Sequence, residues 1–446
     1  MILLTIISLF IILAFCISIH ELGHFLTAKL LKIPVEKFSL GFGPPIIRKQ
    51  IGETDFRIAY FPLGGYVKFF GDDEGVVVKP SPSASDTQPP VSQPESLTKN
   101  MCTEFYDEPI WKRIAVVFIG PIFNIISAFI LFFIILIIYG IPTIPYSKIV
   151  VTKGSASDSV GFITGDSIIS INDINISSWD QFDALLSNNT EEKRIRLIRN
   201  NSVLDFNFTP PYPDSSGISP LIPPIIGDVK YNGPAYRAGI REGDEIISID
   251  NQHIKTWEEF QKIIYQSARK IVSLKWNHKG EIKISNITPV AVFNPILNDT
   301  VGMIQVSGAV NRIYISPIKS IALSWRYGVT ITGTTITIFY KLITRKVSVR
   351  NLGGPISIAQ MGGEAASWGL ERLFELIAII SINLGIVNLF PLPAFDGGQI
   401  LIALFEGIRR KRLSRKTRLV LQQIGYALIL LLIILVMYND ITRLIR

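Results

Sequence analysis

The chain has 446 residues, enough for two to four folded units. Apolar residues make up 48% of it, and the mean hydropathy is +0.37. They gather into runs of about 20, the length that crosses a ~30 Å hydrocarbon layer, which argues against a wholly soluble protein. Two cysteines, Cys16 and Cys102, are too few for a disulfide framework or a cysteine-based zinc site. The net charge of +8 is densest from Arg409 to Arg418, directly before an apolar run, the pattern of juxtamembrane charge and not of a nucleic-acid surface.

In chain order, residues 1–31 read as a first transmembrane helix. The run is too long for a signal peptide, no small-residue cleavage site follows it, and it carries His20, Glu21 and His24. Residues 32–110 read as a cytoplasmic segment. Within it, 56–61 and 66–70 are strand-like, with Pro62-Leu63-Gly64-Gly65 as a hairpin turn between them. Residues 80–100, rich in Pro, Ser, Thr and Gln, read as a disordered linker. A second transmembrane helix is expected over 111–140.

An internal repeat follows. Gly154 to Gly161 leads to Gly165-Asp166-Ser167-Ile168-Ile169-Ser170-Ile171, and Gly233 to Gly239 leads to Gly243-Asp244-Glu245-Ile246-Ile247-Ser248-Ile249. Trp179-Asp180-Gln181-Phe182 and Trp257-Glu258-Glu259-Phe260 then open amphipathic helical patterns. The copies, 146–221 and 222–290, resemble PDZ domains, α+β modules that bind extended peptides at a sheet edge. Residues 291–370 read as a membrane-surface amphipathic region, in which 321–342 lies on the bilayer without spanning it. A third transmembrane helix is expected over 371–400, a basic loop over 407–418 and a fourth helix over 419–438. Basic residues flank the segments after the first and third helices, which places those loops in the cytoplasm and the repeat outside.

His20-Glu21-Leu22-Gly23-His24 carries the chemistry. Residues i and i+4 of a helix share a face, so both imidazoles can bind one tetrahedral zinc, and Glu21 can act as base toward a metal-bound water. Histidine and glutamate are costly in hydrocarbon and mark functional sites there. His253 and His278, in the second copy, read as ordinary surface residues. A hydrolytic zinc site needs a third protein ligand. Asp396, at the end of the third apolar run in Asn388-Leu389-Phe390-Pro391-Leu392-Pro393-Ala394-Phe395-Asp396-Gly397-Gly398, is the candidate, at the same membrane depth as the histidines. A catalytically silent membrane scaffold and a metal transporter are the competing readings. Scaffolding has no need of Glu21, and a transporter would spread its polar residues along several helices.

These residues identify the chain as resembling the bacterial site-2 proteases, of the branch with tandem PDZ domains that regulates envelope stress through anti-sigma-factor cleavage. Further matches are residues 38–44, 62–68, Gly120-Pro121-Ile122-Phe123-Asn124 and 351–359. Gln399 departs from the pattern, which often has His there. The resemblance implies a polytopic α-helical membrane protein with four transmembrane helices, a membrane re-entrant β-hairpin and two extracytoplasmic PDZ-like domains. It implies Zn2+ held by His20, His24 and Asp396, with Glu21 as catalytic base. Asn388, shaped by Pro391 and Pro393, would hold substrate, and the hairpin at Gly64 and Gly65 would pair with an unwound substrate helix. The implied partners are single-span, anti-sigma-factor-like membrane proteins, the lipid bilayer and peptide ligands of the PDZ-like domains. The implied place is the bacterial inner membrane.

Overall fold

Residues 2–70, 104–143, 148–187, 191–210, 216–294, 299–348 and 353–445 are described by the computed structural model. The 80–100 segment expected as a linker, together with Cys102, Asn351 and Leu352, lies outside them. The chain divides into two units, one of residues 1–135 with 316–446 and one of residues 136–315.

In the first unit, α1 (Ile2–Leu30) is apolar nearly all round, so its sequence marks no face. Packing selects one: Ser8, Ile12, Cys16, His20, Gly23, His24 and Ala28 are the buried positions, spaced by helical turns. Towards its N-terminus that face joins a core with Ala128, Leu131, Phe132, Leu373, Ile377, Ala378 and Ile382. Towards its C-terminus Ala28 joins Ile33, Val35, Phe69, Phe105, Val116 and Val117. His20 and His24 sit between these two apolar clusters, so packing on either side holds them in place.

β1 (Val35–Ile51) and β2 (Thr54–Phe69) turn at Gly52, not at Gly64. The two runs expected to form a hairpin do not pair with each other. Leu40 pairs with Gly65 on one side and Ile58 on the other, and Ser39 with Tyr66 and Arg57. Residues 35–40 are therefore the central strand, flanked by 55–58 and by 65–69, and 45–51 pairs with 54–59 at the outside. Pro62 to Gly65 does reverse the chain, but between two strands that share one partner. Strand pairing is a long-range choice, and propensity along 56–70 carries no information about it.

α2 (Ile110–Tyr139) contains Pro121 within the helix. The first strand of the second unit is β3 (Ile141–Thr143). The first repeat copy comprises β4 (Ile149–Val151), α3 (Ala156–Val160), β5 (Ser167–Ile171), β6 (Ile174–Asn175), α4 (Trp179–Ser187), β7 (Lys193–Arg199), β8 (Ser202–Phe208) and β9 (Ile218–Pro220). The second repeats it with β10 (Ile226–Val229), α5 (Pro234–Ala238), β11 (Glu245–Ile249), β12 (Gln252–His253), α6 (Trp257–Gln266), β13 (Val272–His278) and β14 (Glu281–Ile287). The sheet orders are the same, β6-β5-β7-β8 and β12-β11-β13-β14, each backed by its tryptophan-led helix.

The second copy does not end at 290. β15 (Val290–Asn294) and β16 (Asp299–Met303) pair antiparallel, and β17 (Val306–Gly308) pairs with β10 as β9 pairs with β4. Ile304 is buried in that copy's core. β18 (Asn311–Ile313) pairs with β3. The described residues of 291–313, expected at the membrane surface, thus carry strands of the second unit, because each copy needs a returning strand to cover its first one.

Returning to the first unit, α7 (Pro317–Ile343) lies against α2, with Trp325 stacked on Phe129 at 4.9 Å. α8 (Pro355–Trp368) leads to α9 (Leu370–Asn388), and Thr335 of α7 donates to the Asn383 side chain of α9 at 2.8 Å. Asn383, a polar interruption of the third apolar run, is thereby satisfied. α10 (Asp396–Arg409) and α11 (Arg415–Ile445) complete the chain. The expected 407–418 loop shortens to 410–414, since both helices run into the basic cluster. Among the described residues three helices are long and apolar enough to cross a membrane: α1, α2 and α11. α9 falls short because Glu371, Arg372 and Glu375 occupy its first two turns.

Glu406 of α10 ties three elements together. It accepts from Arg113 of α2 and Arg418 of α11, each at 2.8 Å, and from the Leu413 amide at 2.9 Å. Burial alone would raise its carboxyl pKa; these donors outweigh burial and hold it below the ordinary carboxylate value. The contribution is therefore complete at neutral pH and is lost as pH falls through the lowered value. Glu406→Ala is expected to leave both guanidinium groups buried without an anion, costing about 3–5 kcal/mol, read as a lower thermal midpoint of the purified protein.

Candidate metal centre

One turn of α1 separates His20 from His24, and their Nε2 atoms lie 3.1 Å apart. Asp396 Oδ2 is 3.1 Å from His20 Nε2 and 3.7 Å from His24 Nε2. These three atoms lie within 4.8 Å of one another, and among the described residues this is the only such His/Cys/Asp/Glu group. Asp396 Oδ2 is buried with no hydrogen-bond partner. A buried carboxylate oxygen left unbonded beside two ring nitrogens is costly unless a cation joins them, so the donor set fits a zinc ion with an open fourth position.

Asp396 reaches the histidines because the chain turns sharply after α9. Pro391 and Pro393 cannot continue the helix ladder. A Cβ on Gly397 or Gly398 would run into the carbonyls of Leu389, Phe390 and Leu392, so only glycine lets α10 begin this close to the end of α9. Pro391 itself is exposed and Pro393 half-buried, so both act through the backbone path.

α2 forms another wall. His24 Nδ1 donates to the Val116 carbonyl at 2.8 Å, which fixes the tautomer and leaves Nε2 free to coordinate. Gly120 makes room for that ring, since a Cβ there would fall onto His24 Cε1 and Nε2. Asn124 is fully buried, with Nδ2 3.5 Å from His20 Nδ1. Sequence reasoning noted Gly120 to Asn124 only as a match and assigned no role. The available signal was a Gly-Pro pair kept inside an apolar helix, where both residues cost helix stability and need a reason.

Of the remaining expected residues, Asn388, Glu21 and Gly65 gather here and Gly64 does not. Asn388 Nδ2 stands 3.5 Å and 3.4 Å from the two His20 ring nitrogens. Glu21 is half-buried, close enough to interact electrostatically with His24 and Asp396, and its carboxylate accepts from the Val67 backbone. A Cβ on Gly65 would lie 3.0 Å from Glu21 Cγ, whereas Gly64 faces the Phe42 ring and not the histidines. Of the two other histidines, His253 is exposed and His278 bonds Asp244 at 2.7 Å, the place Arg199 takes beside Asp166 in the first copy.

The model of peptidase family M50 matches residues 8–432. The chain belongs to peptidase family M50. A regulator of sigma E protease from Haemophilus influenzae is 30% identical over 464 residues, covering 98% of each chain. A protein of Neisseria meningitidis named as a zinc metalloprotease is 30% identical over 452 residues, covering 96% of each chain. The regulator of sigma-E protease RseP of Escherichia coli is 28% identical over 464 residues, again 98% of each. This M50 chain is a zinc metalloprotease.

Proposed function

We propose that this M50 protease cuts a peptide bond within or beside the transmembrane segment of membrane-anchored regulators of the anti-sigma-factor type. The carrying observation is that His20, His24 and Asp396 bring three donor atoms together part-way along an apolar helix long enough to span a membrane. The relatives named as regulators of sigma E support the substrate class.

His20, His24 and Asp396 would hold the zinc. Bound there, zinc acts as a Lewis acid that acidifies water and polarises a carbonyl. Glu21, held by the Val67 amide, takes the water's proton and passes it to the leaving amine. Asn388 Nδ2, beside His20, donates to the carbonyl oxygen as negative charge develops. A helical substrate hides its peptide bonds, so it must unwind locally, and hydrocarbon offers nothing to its exposed backbone groups. The strand at 65–69, which runs past Glu21, supplies them by strand addition.

α9 is the fourth span, its charged first turns at the extracytoplasmic surface. The basic ends of α10 and α11 face the cytoplasm, and the two PDZ-like copies lie outside the inner membrane, where they bind extended peptides. A single-span reporter cleaved by the purified enzyme in liposomes, with its fragments mapped by mass spectrometry, tests this reading. The new ends are expected inside the apolar segment or within a few residues of it. Cuts confined to soluble flanks would refute intramembrane proteolysis.

A further inference from the structure

His24 has a defined partner for its Nδ1, the Val116 carbonyl. His20 has none drawn so cleanly. Two side chains come within 3.5 Å of its Nδ1, Asn388 and Asn124. Asn388 Nδ2 is almost equally distant from Nδ1 and Nε2, at 3.5 Å and 3.4 Å. An atom equidistant from both ring nitrogens sits over the ring face or against the Cε1 edge, where neither ring N–H points. Asn388 therefore cannot serve as the acceptor for Nδ1–H.

Asn124 approaches Nδ1 alone. It is fully buried, and its Oδ1 is an orphan with no hydrogen-bond partner. The oxygen and nitrogen of an amide are interchangeable by a half-turn of the group. As placed, the amide turns a donor toward His20 and leaves its acceptor unsatisfied. The half-turn puts Oδ1 where Nδ2 stands, 3.5 Å from His20 Nδ1, and gives the orphan oxygen a donor. Its backbone is pinned independently: the Asn124 carbonyl accepts from Ser381 at 2.9 Å and from Ser127 at 2.8 Å, which fixes this stretch of α2 against α9.

We propose that Asn124 is a positioning residue of the metal centre, whose side-chain oxygen accepts the Nδ1 proton of His20 and so holds Nε2 toward zinc. α2 would then orient both histidines, His24 through a backbone carbonyl and His20 through a side chain one helical turn beyond Gly120. This rests on the reading of His20, His24 and Asp396 as the ligands. Outer partners of metal-bound histidines are typically worth 10–100-fold in metal affinity.

The test is zinc affinity of the purified full-length protein, measured by competition with a chelator and independent of any substrate. Asn124→Ala is expected to weaken zinc binding about 10–100-fold. Asn124→Asp keeps an acceptor of the same shape and is expected to retain near wild-type affinity, since carboxylate–histidine–zinc arrangements are common. Ser381→Ala removes a helix-packing hydrogen bond without touching His20 and is expected to leave affinity within about threefold of wild type. Unchanged affinity in Asn124→Ala would overturn the proposal. So would an equal loss in Ser381→Ala, which would assign the effect to helix packing, or an equal loss in Asn124→Asp. His20→Ala separates the two readings: if it keeps its zinc, the ligand assignment itself fails.

Discussion

Glu21→Gln is expected to abolish cleavage of a single-span substrate while leaving the zinc content of the protein unchanged. Glu21 lies one residue beyond His20 on α1, so its side chain points away from the direction shared by His20 and His24. Its oxygens are not among the three converging donor atoms. It still lies close enough to His24 and Asp396 to feel their charge, and the Val67 amide holds its carboxylate. Glutamine keeps the shape and one hydrogen-bond acceptor but cannot take a proton from water. A general base at this position accounts for about 10²–10⁴ in rate. The measurement pairs cleavage of a tagged substrate with metal analysis of the same preparation. Zinc retained and cleavage lost is the expected pair. Cleavage at the wild-type rate by the purified variant would remove Glu21 from the mechanism.

Gly120→Ala is the second large effect, and it leaves every residue of the His20–His24 motif unaltered in sequence. The methyl group would be placed on His24 Cε1 and Nε2, the ring edge that faces Asp396. His24 cannot swing away at low cost, because its Nδ1 is bonded to Val116 and its helix is packed at Gly23 against Ile119 and Gly120. Either the ring leaves its coordinating position or α1 and α2 move apart. Overpacking of this kind costs about 1–3 kcal/mol of stability, and displacing one of three ligands is expected to weaken zinc binding by at least about 100-fold. Zinc content and cleavage should fall together. A variant that keeps full zinc affinity would show that α2 stands further from His24 than this structure places it. Glycine to alanine in a transmembrane helix is ordinarily a mild change that favours the helix, so a large loss here is specific to this packing.

The two variants probe different layers of one site, and the difference matches what was legible in the sequence. Glu21 was readable because the HExxH spacing is a local helical property, the same wherever the helix sits. Gly120 was not, because its role depends on which helix packs against His24. The β segment shows the same division. Strand-forming residues at 56–61 and 66–70 were recognisable from β-branched and aromatic content, yet their pairing was not, since both add to residues 35–40. In the repeat, the shared Gly-Asp and tryptophan signatures revealed two equivalent copies. The closing strands at 218–220 and 306–308 have no such signature and are too short to show a periodicity.

What the sequence by itself determined is the chemistry and the medium. Two histidines one turn apart with an intervening glutamate define a hydrolytic zinc motif, and the apolar runs define a membrane protein. Both follow from local spacing and composition. The tertiary structure alone decided which face of a uniformly apolar α1 is buried, how Asp396 comes within 3.1 Å of a histidine more than 370 positions earlier, and that α2 lines the centre with Val116, Gly120 and Asn124. The physical reason is that the buried face of a helix that is apolar nearly all round is not encoded in its own periodicity. It is set by the close approach that a few glycines permit and by the need to satisfy every polar atom left in the interior.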